Sequence, residues 1–335
     1  MGLRWKRFGV AAFLLLALVF VALFLVRGWS ALEGLGGPAE SGYWRVSPRW
    51  LLAGLGLGTA NLLGMAALWV WLARRFGERI EYLEGIPAWL GANLGRYIPG
   101  KVWQLAGLAA YMRGKGHSSS VAVLSALALQ IVVLVTGLLA AVLALGGRIE
   151  KAFGGSVLVP ILMAAGLLLL LHPAILRRST AGLARLLRED SGDGPAGKAT
   201  GQAREEAPKS GETLLIGLAT LAAWWLYGVG FWCIAAGLLE DPIGDPVTLT
   251  GIYAASYVVG YIALISPGGL VVREGAMILL LATVLSVPAG VGAVLAVAAR
   301  VWAIVCELAA FGVAMLLRYA ASREGPTGPE AKGAP

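Results

Sequence analysis

The sequence is poor in charged residues and in side chains that carry out chemistry. Of its 335 residues only 14% are charged and 58% are hydrophobic, with a mean hydropathy of +0.77. A soluble domain carries about 25% charged residues, so most of this surface faces something other than water. The chain has two cysteines and two histidines, without the spacing of a metal site. We interpret Cys233 and Cys306 as small buried hydrophobic residues.

Familiar catalytic sequence patterns are also absent. The chain contains no nucleophile elbow, no spaced metal ligands, no P-loop and no dinucleotide-binding glycine pattern. We therefore expect neither an enzyme nor a bound cofactor or metal. The net charge of +8 does not indicate a nucleic-acid partner. The basic residues lie between hydrophobic segments, where the positive-inside rule expects them, rather than in one surface stripe.

Long hydrophobic segments recur along the whole chain, and several exceed the roughly 20 residues that cross a bilayer. Backbone polar groups in hydrocarbon must be paired within their own segment, so these segments are helices. The sequence therefore predicts an all-α, polytopic transmembrane helical bundle. We expect one membrane domain over residues 1–318, with halves at about 8–171 and 213–318, a cytoplasmic linker at 173–212 and a disordered tail at 319–335.

The positive-inside rule assigns a side to each segment. Basic residues precede the first segment, 8–26, which is longer than a signal-peptide core, and the second segment ends at Arg74 and Arg75. Both termini are then cytoplasmic, in the inner membrane of a bacterium. Two further segments, 87–113 and 247–286, are interrupted by proline and glycine. Each of these begins and ends on one side of the membrane.

We expect the two interrupted segments to be re-entrant hairpins that open to opposite sides. Their turns would be formed by Pro99 and Gly100 in the first, and by Pro267, Gly268 and Gly269 in the second. Each half then has the same order of segments in opposite orientation. Such an inverted repeat is used by transporters to build a site at the membrane midplane. Proline-kinked, fully spanning segments are the alternative, because they leave the charge distribution unchanged.

Charged residues inside hydrophobic segments are rare and usually face a cavity or a partner. Arg273 and Glu274 directly follow the second interruption, and Arg300 and Glu307 lie two helical turns apart within the last segment. We predict crossed ion pairs of Arg273 with Glu307 and of Arg300 with Glu274. An arginine at a helix N-terminus suits a phosphate. A purely structural ion pair that closes the hairpin is the alternative.

The first interruption carries its own polar residues. Asn93, Arg96, Lys101 and Gln104 flank its proline and glycine. By the symmetry of the repeat they would form a second contact to a headgroup, and we include them in the predicted substrate site. The alternative is that the two basic side chains extend to the membrane interface.

The tryptophans mostly fall near the ends of hydrophobic segments. This placement is typical of an aromatic belt at the membrane surface rather than of a binding site. The belt residues would be Trp5, Trp29, Trp44, Trp50, Trp89, Trp224 and Trp225.

Two stretches of the chain carry a family resemblance. One reads Gly95-Arg-Tyr-Ile-Pro-Gly-Lys-Val-Trp-Gln104, and the other reads Ser266-Pro-Gly-Gly-Leu-Val-Val-Arg-Glu-Gly275. They resemble the lysylphosphatidylglycerol synthase transmembrane, or flippase-like, family over about residues 10–318. The chain departs from the family pattern at Leu129-Gln130, in place of a glutamate, and at Val271, in place of a glycine.

The resemblance implies a membrane module that moves or presents lipid-linked groups. We expect no soluble aminoacyl-transferase domain, because only a short tail follows residue 318. The predicted function is translocation of a lipid or lipid-linked anionic headgroup between leaflets, with membrane lipids as partners. The alternative is a non-catalytic membrane scaffold for a glycosyl- or aminoacyl-transferase partner.

Overall fold

The structure is a computed structural model that describes residues 45–97, 102–152, 154–172, 210–241, 243–263 and 271–323. Within these residues the chain forms nine α-helices and one short 3-10 helix, Leu94–Tyr97. The predicted class, an all-α membrane bundle, is confirmed. The α-helices are α1 (Pro48–Arg75), α2 (Tyr82–Asn93), α3 (Val102–Gly114), α4 (Ser119–Ala152), α5 (Leu158–Leu170), α6 (Ser210–Leu238), α7 (Pro246–Ile262), α8 (Val272–Leu285) and α9 (Ala289–Arg323).

Helix length separates the bundle into two kinds of element. Helices α1, α4, α6 and α9 are long and apolar enough to cross a membrane; they have 28, 34, 29 and 35 residues, or about 42–52 Å. Helices α2, α3, α7 and α8 have 12, 13, 17 and 14 residues. They reach only about 18–26 Å, less than the roughly 30 Å of hydrocarbon. The order long, short, short, long therefore occurs twice.

Several predicted segments differ from the structure or fall outside it. The predicted span at 156–171 is the 13-residue helix α5, which is too short to cross the bilayer by itself. The last helix continues to Arg323, so the first residues of the expected disordered tail are helical. The following predicted elements lie outside the described residues: the span 8–26, most of the linker 173–212, the tail beyond 323, and the turn residues Pro99, Gly100, Pro267, Gly268 and Gly269.

Helices α1 and α6 run antiparallel to each other. Just before α1, the backbone N–H of Ser47 donates to the carbonyl oxygen of Gly237 at the end of α6, at 2.8 Å. At the other end of the pair, Arg75 Nη1 lies 3.0 Å from Glu212 Oε1. Each of these helices opens one run of long, short, short, long, so their opposite directions make the two runs inverted copies.

The other helix contacts follow the same two-fold relation. Helix α1 packs on α2 as α6 packs on α7, and α3 packs on α4 as α8 packs on α9. The contact between α1 and α9 has its counterpart between α6 and α4. Helix α5 follows α4 in the first half and has no counterpart among the described helices of the second. The packing is that of an inverted repeat, the architecture of many membrane transporters.

Contacts between helix ends show which ends lie together. At one end the backbone N–H of Ser118 donates to Glu78 Oε2 at 2.9 Å, and Arg318 Nη1 donates to the Tyr111 hydroxyl at 2.8 Å. We call this the basic end, because it carries Arg74, Arg75, Arg79, Arg113, Lys115, Arg318 and Arg323.

The two pairs of short helices start from different ends of the bundle. The first hairpin, α2 and α3, begins after α1 and ends before α4, both at the basic end. The second hairpin, α7 and α8, begins after α6 and ends before α9 at the opposite end, where Arg148 Nη1 donates to Thr248 Oγ1 at 3.3 Å. The inner ends of both hairpins therefore point toward the middle of the bundle.

Single cysteines would test this arrangement in intact cells. With Cys233 and Cys306 replaced by alanine, cysteines are placed at Lys115 and Ala289, which are exposed at the basic and opposite ends. Because basic residues favour the cytoplasmic side, a membrane-impermeant thiol reagent should label position 289 alone, and label position 115 only after permeabilisation. A cysteine at buried Ala140 provides the unlabelled control. Equal labelling at 115 and 289 in intact cells would contradict the inverted arrangement.

Close packing between α6 and α7 depends on Gly228. A Cβ atom at this position would lie 2.5 Å from the Cα atom of buried Thr250 and would also overlap its hydroxyl. Gly56 on α1 is exposed, with nothing within 4 Å of its Cβ position. The two helical glycines differ mainly in the space around them.

Replacing Gly228 by alanine should destabilise the protein by about 1–3 kcal/mol, because the backbone of α7 must move to accommodate the methyl group. The matched variant Gly56→Ala should be neutral or slightly stabilising, because alanine favours the helix. Thermal denaturation of the purified proteins in detergent measures both. Equal melting temperatures for the two variants would show that α6 and α7 do not pack as described.

Candidate functional site

The inner ends of the two hairpins meet beside the middle of α9. Arg96 follows α2 in the 3-10 helix, while Arg273 and Glu274 lie in the first turn of α8. Charged side chains are seldom this buried unless they are paired. Four of the predicted site residues are between 5% and 8% exposed: Arg273, Glu274, Arg300 and Glu307.

An ion pair joins the first hairpin to the second half of the protein. Arg96 Nη2 lies 3.2 Å from Glu307 Oε1, and Arg96 Nε donates to the carbonyl oxygen of Asn93 at 3.1 Å. The Glu307 side chain is 5% exposed and that of Arg96 is 26% exposed. The pair thus fixes the end of α2 against the midpoint of α9, a long-range contact between the two inverted copies.

A second ion pair joins the second hairpin to the same helix. Arg300 Nη1 lies 3.9 Å from Glu274 Oε1, as predicted, and the Arg300 guanidinium lies 5.3 Å from the centre of the Tyr97 ring. The other predicted pair, Arg273 with Glu307, is wrong. The first hairpin brings Arg96 to Glu307, and the guanidinium of Arg273 lies instead against tyrosines of α7.

Arg273 differs from the other two arginines of the site in its partners. Its guanidinium carbon lies 4.8 Å from the ring centre of Tyr253 and 5.4 Å from that of Tyr257. Across the described chain no carboxylate oxygen forms an ion pair with it, and its buried Nη2 has no hydrogen-bond partner there. Cation–π contacts offset part of the desolvation of the charge. The donor at Nη2 remains available to a ligand.

Gly260 allows α7 and α8 to approach each other at this point. A Cβ atom on Gly260 would lie 2.5 Å from the Cβ atom of Arg273. Only a glycine on α7 leaves room for the first turn of α8, and this contact places Arg273 beside the tyrosines.

Two adjoining cavities, each of about 100 Å³, border this charged centre. They share Arg96, Tyr257, Arg273 and Glu307. The first, which we call the apolar cavity, is lined mainly by hydrophobic and aromatic side chains; its further lining residues are Asn61, Leu62, Met65, Val133, Thr220, Ala223, Trp224, Tyr227, Tyr253 and Ala303.

The second cavity, which we call the amide cavity, is more polar. Three carboxamide side chains line it, from α2, α3 and α4, and Gln104 Nε2 donates to Asn93 Oδ1. Six of the eight predicted binding residues line the amide cavity, and a seventh, Glu274, is paired with Arg300. The eighth, Lys101, lies outside the described residues. The further lining residues of the amide cavity are Trp89, Asn93, Tyr97, Gln104, Gln130, Gly260, Tyr261 and Arg300.

Sequence reasoning missed the aromatic part of the site. Tyr253, Tyr257 and Tyr261 are spaced four residues apart on α7, so they share a helix face, and this spacing was a usable signal. Trp224 was assigned to the aromatic belt, but it is buried, lines the apolar cavity and donates through Nε1 to the carbonyl oxygen of Val133 at 2.9 Å. Trp89 likewise lines the amide cavity.

The chemistry of this centre suits anion binding. The described part of the site has three arginines against two glutamates, so one positive charge is in excess. No group of three or more His, Cys, Asp or Glu side chains that could hold a metal occurs in the described ranges. Guanidinium groups with tyrosine hydroxyls and carboxamides are the hydrogen-bond donors that recognise phosphate and neighbouring hydroxyl groups.

The fold and this buried charged centre define a polytopic α-helical membrane protein built as an inverted repeat around a polar site. The chain belongs to the family described as the lysylphosphatidylglycerol synthase TM region, whose family model matches residues 10–310. The predicted family is therefore confirmed. Comparisons with curated proteins and with solved structures found no match.

Coupling between Arg96 and Glu307 can be measured with a double-mutant cycle. Arg96→Gln should destabilise the protein by about 3–5 kcal/mol, because it leaves the buried Glu307 without its partner. Glu307→Gln should cost less, because the Arg96 side chain that it leaves unpaired is partly exposed. The double variant should lose much less than the sum of the two. The readout is the free energy of unfolding in detergent.

The control is the cycle with Arg75 and Glu212, whose side chains are 51% and 21% exposed. Exposed ion pairs contribute about 0–1 kcal/mol, so this cycle should show little coupling. Additive losses at Arg96 and Glu307 would rule out the buried pair.

Proposed function

We propose that this protein moves a lipid with an anionic headgroup between the two leaflets of a bacterial inner membrane. The observation that carries the proposal is the buried guanidinium of Arg273, which borders both cavities and forms no ion pair within the described chain. A phosphate bound there would neutralise the excess positive charge and accept the hydrogen bond that Nη2 can donate.

The two unlike cavities support a lipid rather than a soluble anion as the substrate. The phosphate of a membrane lipid has a polar substituent on one side and the glycerol of the acyl chains on the other. Arg273 likewise has a polar space on one side, the amide cavity, and an apolar space on the other, the apolar cavity. Each cavity is small, so we infer that only the headgroup enters the protein while the acyl chains stay in the bilayer.

The inverted halves support transport by alternating access. Each hairpin consists of helices shorter than the hydrocarbon thickness, and its inner end reaches the charged centre from one end of the bundle. Movement of the first hairpin would expose the site at the basic end, which we infer to be cytoplasmic from the positive-inside rule. Movement of the second hairpin would expose the site at the opposite end. We propose that both hairpins are re-entrant. The proposed function includes no catalytic step.

A reconstituted assay tests this function. The purified protein is placed in phosphatidylcholine vesicles that contain trace phosphatidylglycerol with a fluorophore on an acyl chain. A membrane-impermeant reductant then reports the rate at which the labelled lipid reaches the outer leaflet. Arg273→Gln should lower this rate by about 10- to 100-fold, the loss expected for a hydrogen bond to a charged group. Arg323→Gln, at the exposed end of α9, should leave it unchanged.

Two results would overturn the proposal. One is a folded Arg273→Gln protein that moves phosphatidylglycerol at the wild-type rate. The other is a wild-type protein that leaves the rate at the level of protein-free vesicles, which would favour the alternative role as a membrane scaffold.

A further inference from the structure

A histidine lies between two carboxylates at the basic end, where the first hairpin begins and ends. Its two ring nitrogens face different glutamates: His117 Nδ1 lies 3.0 Å from Glu78 Oε1, and Nε2 lies 3.4 Å from Glu84 Oε2. The three side chains are between 13% and 24% exposed. We call these three residues the histidine clamp. None of them lines either of the two central cavities.

The histidine clamp joins the outer ends of both helices of the first hairpin. Glu78 lies in the loop between α1 and α2, Glu84 lies in the first turn of α2, and His117 lies in the loop between α3 and α4. Glu78 Oε2 also accepts from the backbone N–H of Ser118, at 2.9 Å. The outer end of α2 is thereby held against the outer end of α3.

Two matching helix ends place these side chains. Gly77 and Gly116 stand two residues beyond the ends of α1 and α3, and their φ angles of 88° and 82° are left-handed. The next residue in each loop, Glu78 or His117, donates its backbone N–H to the carbonyl oxygen five residues earlier, at 3.1 and 2.9 Å. This is the Schellman geometry of a helix C-terminus. The side chains of Glu78 and His117 therefore start from a fixed backbone.

The number of protons in the histidine clamp decides whether both contacts are hydrogen bonds. A neutral imidazole has one N–H donor and one acceptor nitrogen, whereas an ionised carboxylate only accepts. With a neutral ring, one ring nitrogen of His117 therefore faces a carboxylate oxygen with no hydrogen between them. One added proton turns that contact into a hydrogen bond between charged groups.

Both carboxylates have further partners that favour their ionised form. Glu78 accepts from the N–H of Ser118 at the start of α4. Glu84 lies in the first turn of α2, where the helix dipole favours a negative charge, and 3.9 Å from Lys115 Nζ. The added proton therefore resides on the ring of His117.

The other charges near the histidine clamp do not replace this proton. Lys115, which is 44% exposed, lies 3.9 Å from one of the two carboxylates. Arg79, Glu81 and Arg113 are exposed, and solvent screens them. The end of α3 favours a positive charge at His117, and the start of α4 disfavours one. A protonated ring together with Lys115 balances the two glutamates, whereas a neutral ring leaves one negative charge in excess.

Basic residues on the neighbouring helix ends have partners of their own. These partners are the ring of Tyr82 for Arg74, the carboxylate of Glu212 for Arg75 and the hydroxyl of Tyr111 for Arg318. The charge of the imidazole ring is therefore what decides how strongly the two loops attract each other.

The described outer ends of the second hairpin are joined differently. The loop between α8 and α9, residues 286–288, contains no ionisable side chain. Val287 in this loop is buried, and Leu285 packs closely against Gly244 in the loop between α6 and α7. Apolar contacts do not respond to a proton. In the described chain, a change of charge at His117 therefore acts on the first hairpin.

We propose that the histidine clamp is a pH-dependent switch that holds the first hairpin closed at the basic end. With His117 protonated, two hydrogen bonds hold the outer ends of α2 and α3 together. When the proton leaves, one contact becomes repulsive and the ends are released. Histidine changes its charge between about pH 5 and 8, so acidification at the basic end closes the clamp and alkalinisation opens it. The inference is independent of what the central site binds.

A buried cysteine reports the release. Met112 on α3 is fully buried, and it is replaced by cysteine in a protein in which Cys233 and Cys306 are alanine. The thiol-labelling rate of the purified protein in detergent is measured at about pH 6 and pH 8. Division by the rate of the exposed variant Arg323→Cys at the same pH corrects for thiol ionisation. The ratio should rise about tenfold from the lower to the higher pH, as expected for the loss of one hydrogen bond to a charged group.

Three variants identify the group that responds. His117→Gln should give a high ratio at both pH values, because its side chain takes up no proton. Glu84→Gln should give a low ratio at both, because the amide supplies the hydrogen that the added proton supplies in the wild type. His172→Gln replaces the other histidine of the chain and should keep the wild-type response. A histidine with a merely structural role would make His117→Gln and Glu84→Gln behave alike.

Amide hydrogen exchange provides a readout in the wild-type protein. After correction for intrinsic exchange, the Ser118 amide should lose protection about tenfold between about pH 6 and pH 8, because its acceptor belongs to the clamp. The amide of Thr248, which donates to Asp245 Oδ1 at 2.9 Å at the start of α7, is the control. Hydrogen bonds from Thr248 lower the pKa of Asp245, so this carboxylate stays ionised and the protection of the Thr248 amide should not change.

The outcomes are decisive and do not depend on transport. A wild-type labelling ratio and a Ser118 protection that stay constant with pH would overturn the switch. A pH response that persists in His117→Gln would assign it to another group and would also overturn the switch. A protein that shows the predicted response but moves no phosphatidylglycerol would keep the switch and lose the proposed transport function.

Discussion

The ion pair between Arg96 and Glu307 holds a carboxylate that is almost fully removed from water, against an arginine that stays partly exposed. Moving a single charge into such a place costs several kcal/mol, and a partner with good geometry is needed to offset that cost. The two partners come from opposite halves of the chain, so the pair forms only when the first hairpin has reached the middle of α9. The Glu307 carboxylate is therefore paired only when the first hairpin is correctly placed. The neighbouring pair of Arg300 and Glu274 imposes the same condition on the second hairpin.

The two inverted halves are alike in packing but have different chemical roles at the centre. Helix α9 carries Arg300 and Glu307, and α8 begins with Arg273 and Glu274. The corresponding helices of the first half, α3 and α4, contribute the carboxamides of Gln104 and Gln130 instead. The second half therefore supplies most of the charge, and the first half supplies the carboxamides. Under the proposed function, a ligand between the halves would meet two different surfaces, which would fix its orientation as a symmetric site would not.

Much of this architecture could be predicted from the sequence because the membrane imposes strong rules. Hydrophobic length and the positions of basic residues were enough to predict the order of long and short segments and their opposite orientation. The partner of Glu307 was not predictable in this way. Helical periodicity places Arg300 and Glu307 on one face, but whether Arg96 or Arg273 reaches Glu307 depends on how far each hairpin extends. Trp224 was misassigned because proximity to a segment end does not show which way a helix face points.

Short helices have a consequence for how a headgroup could cross the membrane. A helix that ends in the bilayer leaves backbone groups unpaired, and they are tolerated only where protein or a polar cavity receives them. The described inner ends of both hairpins lie at the same charged centre. That centre stabilises both ends and, under the proposed function, would also hold a phosphate. Under the proposed function, an arriving anion would compete with Glu307 for Arg96 and would thereby weaken the contact that holds the first hairpin in place. In that mechanism, binding and opening would be coupled through one set of arginines.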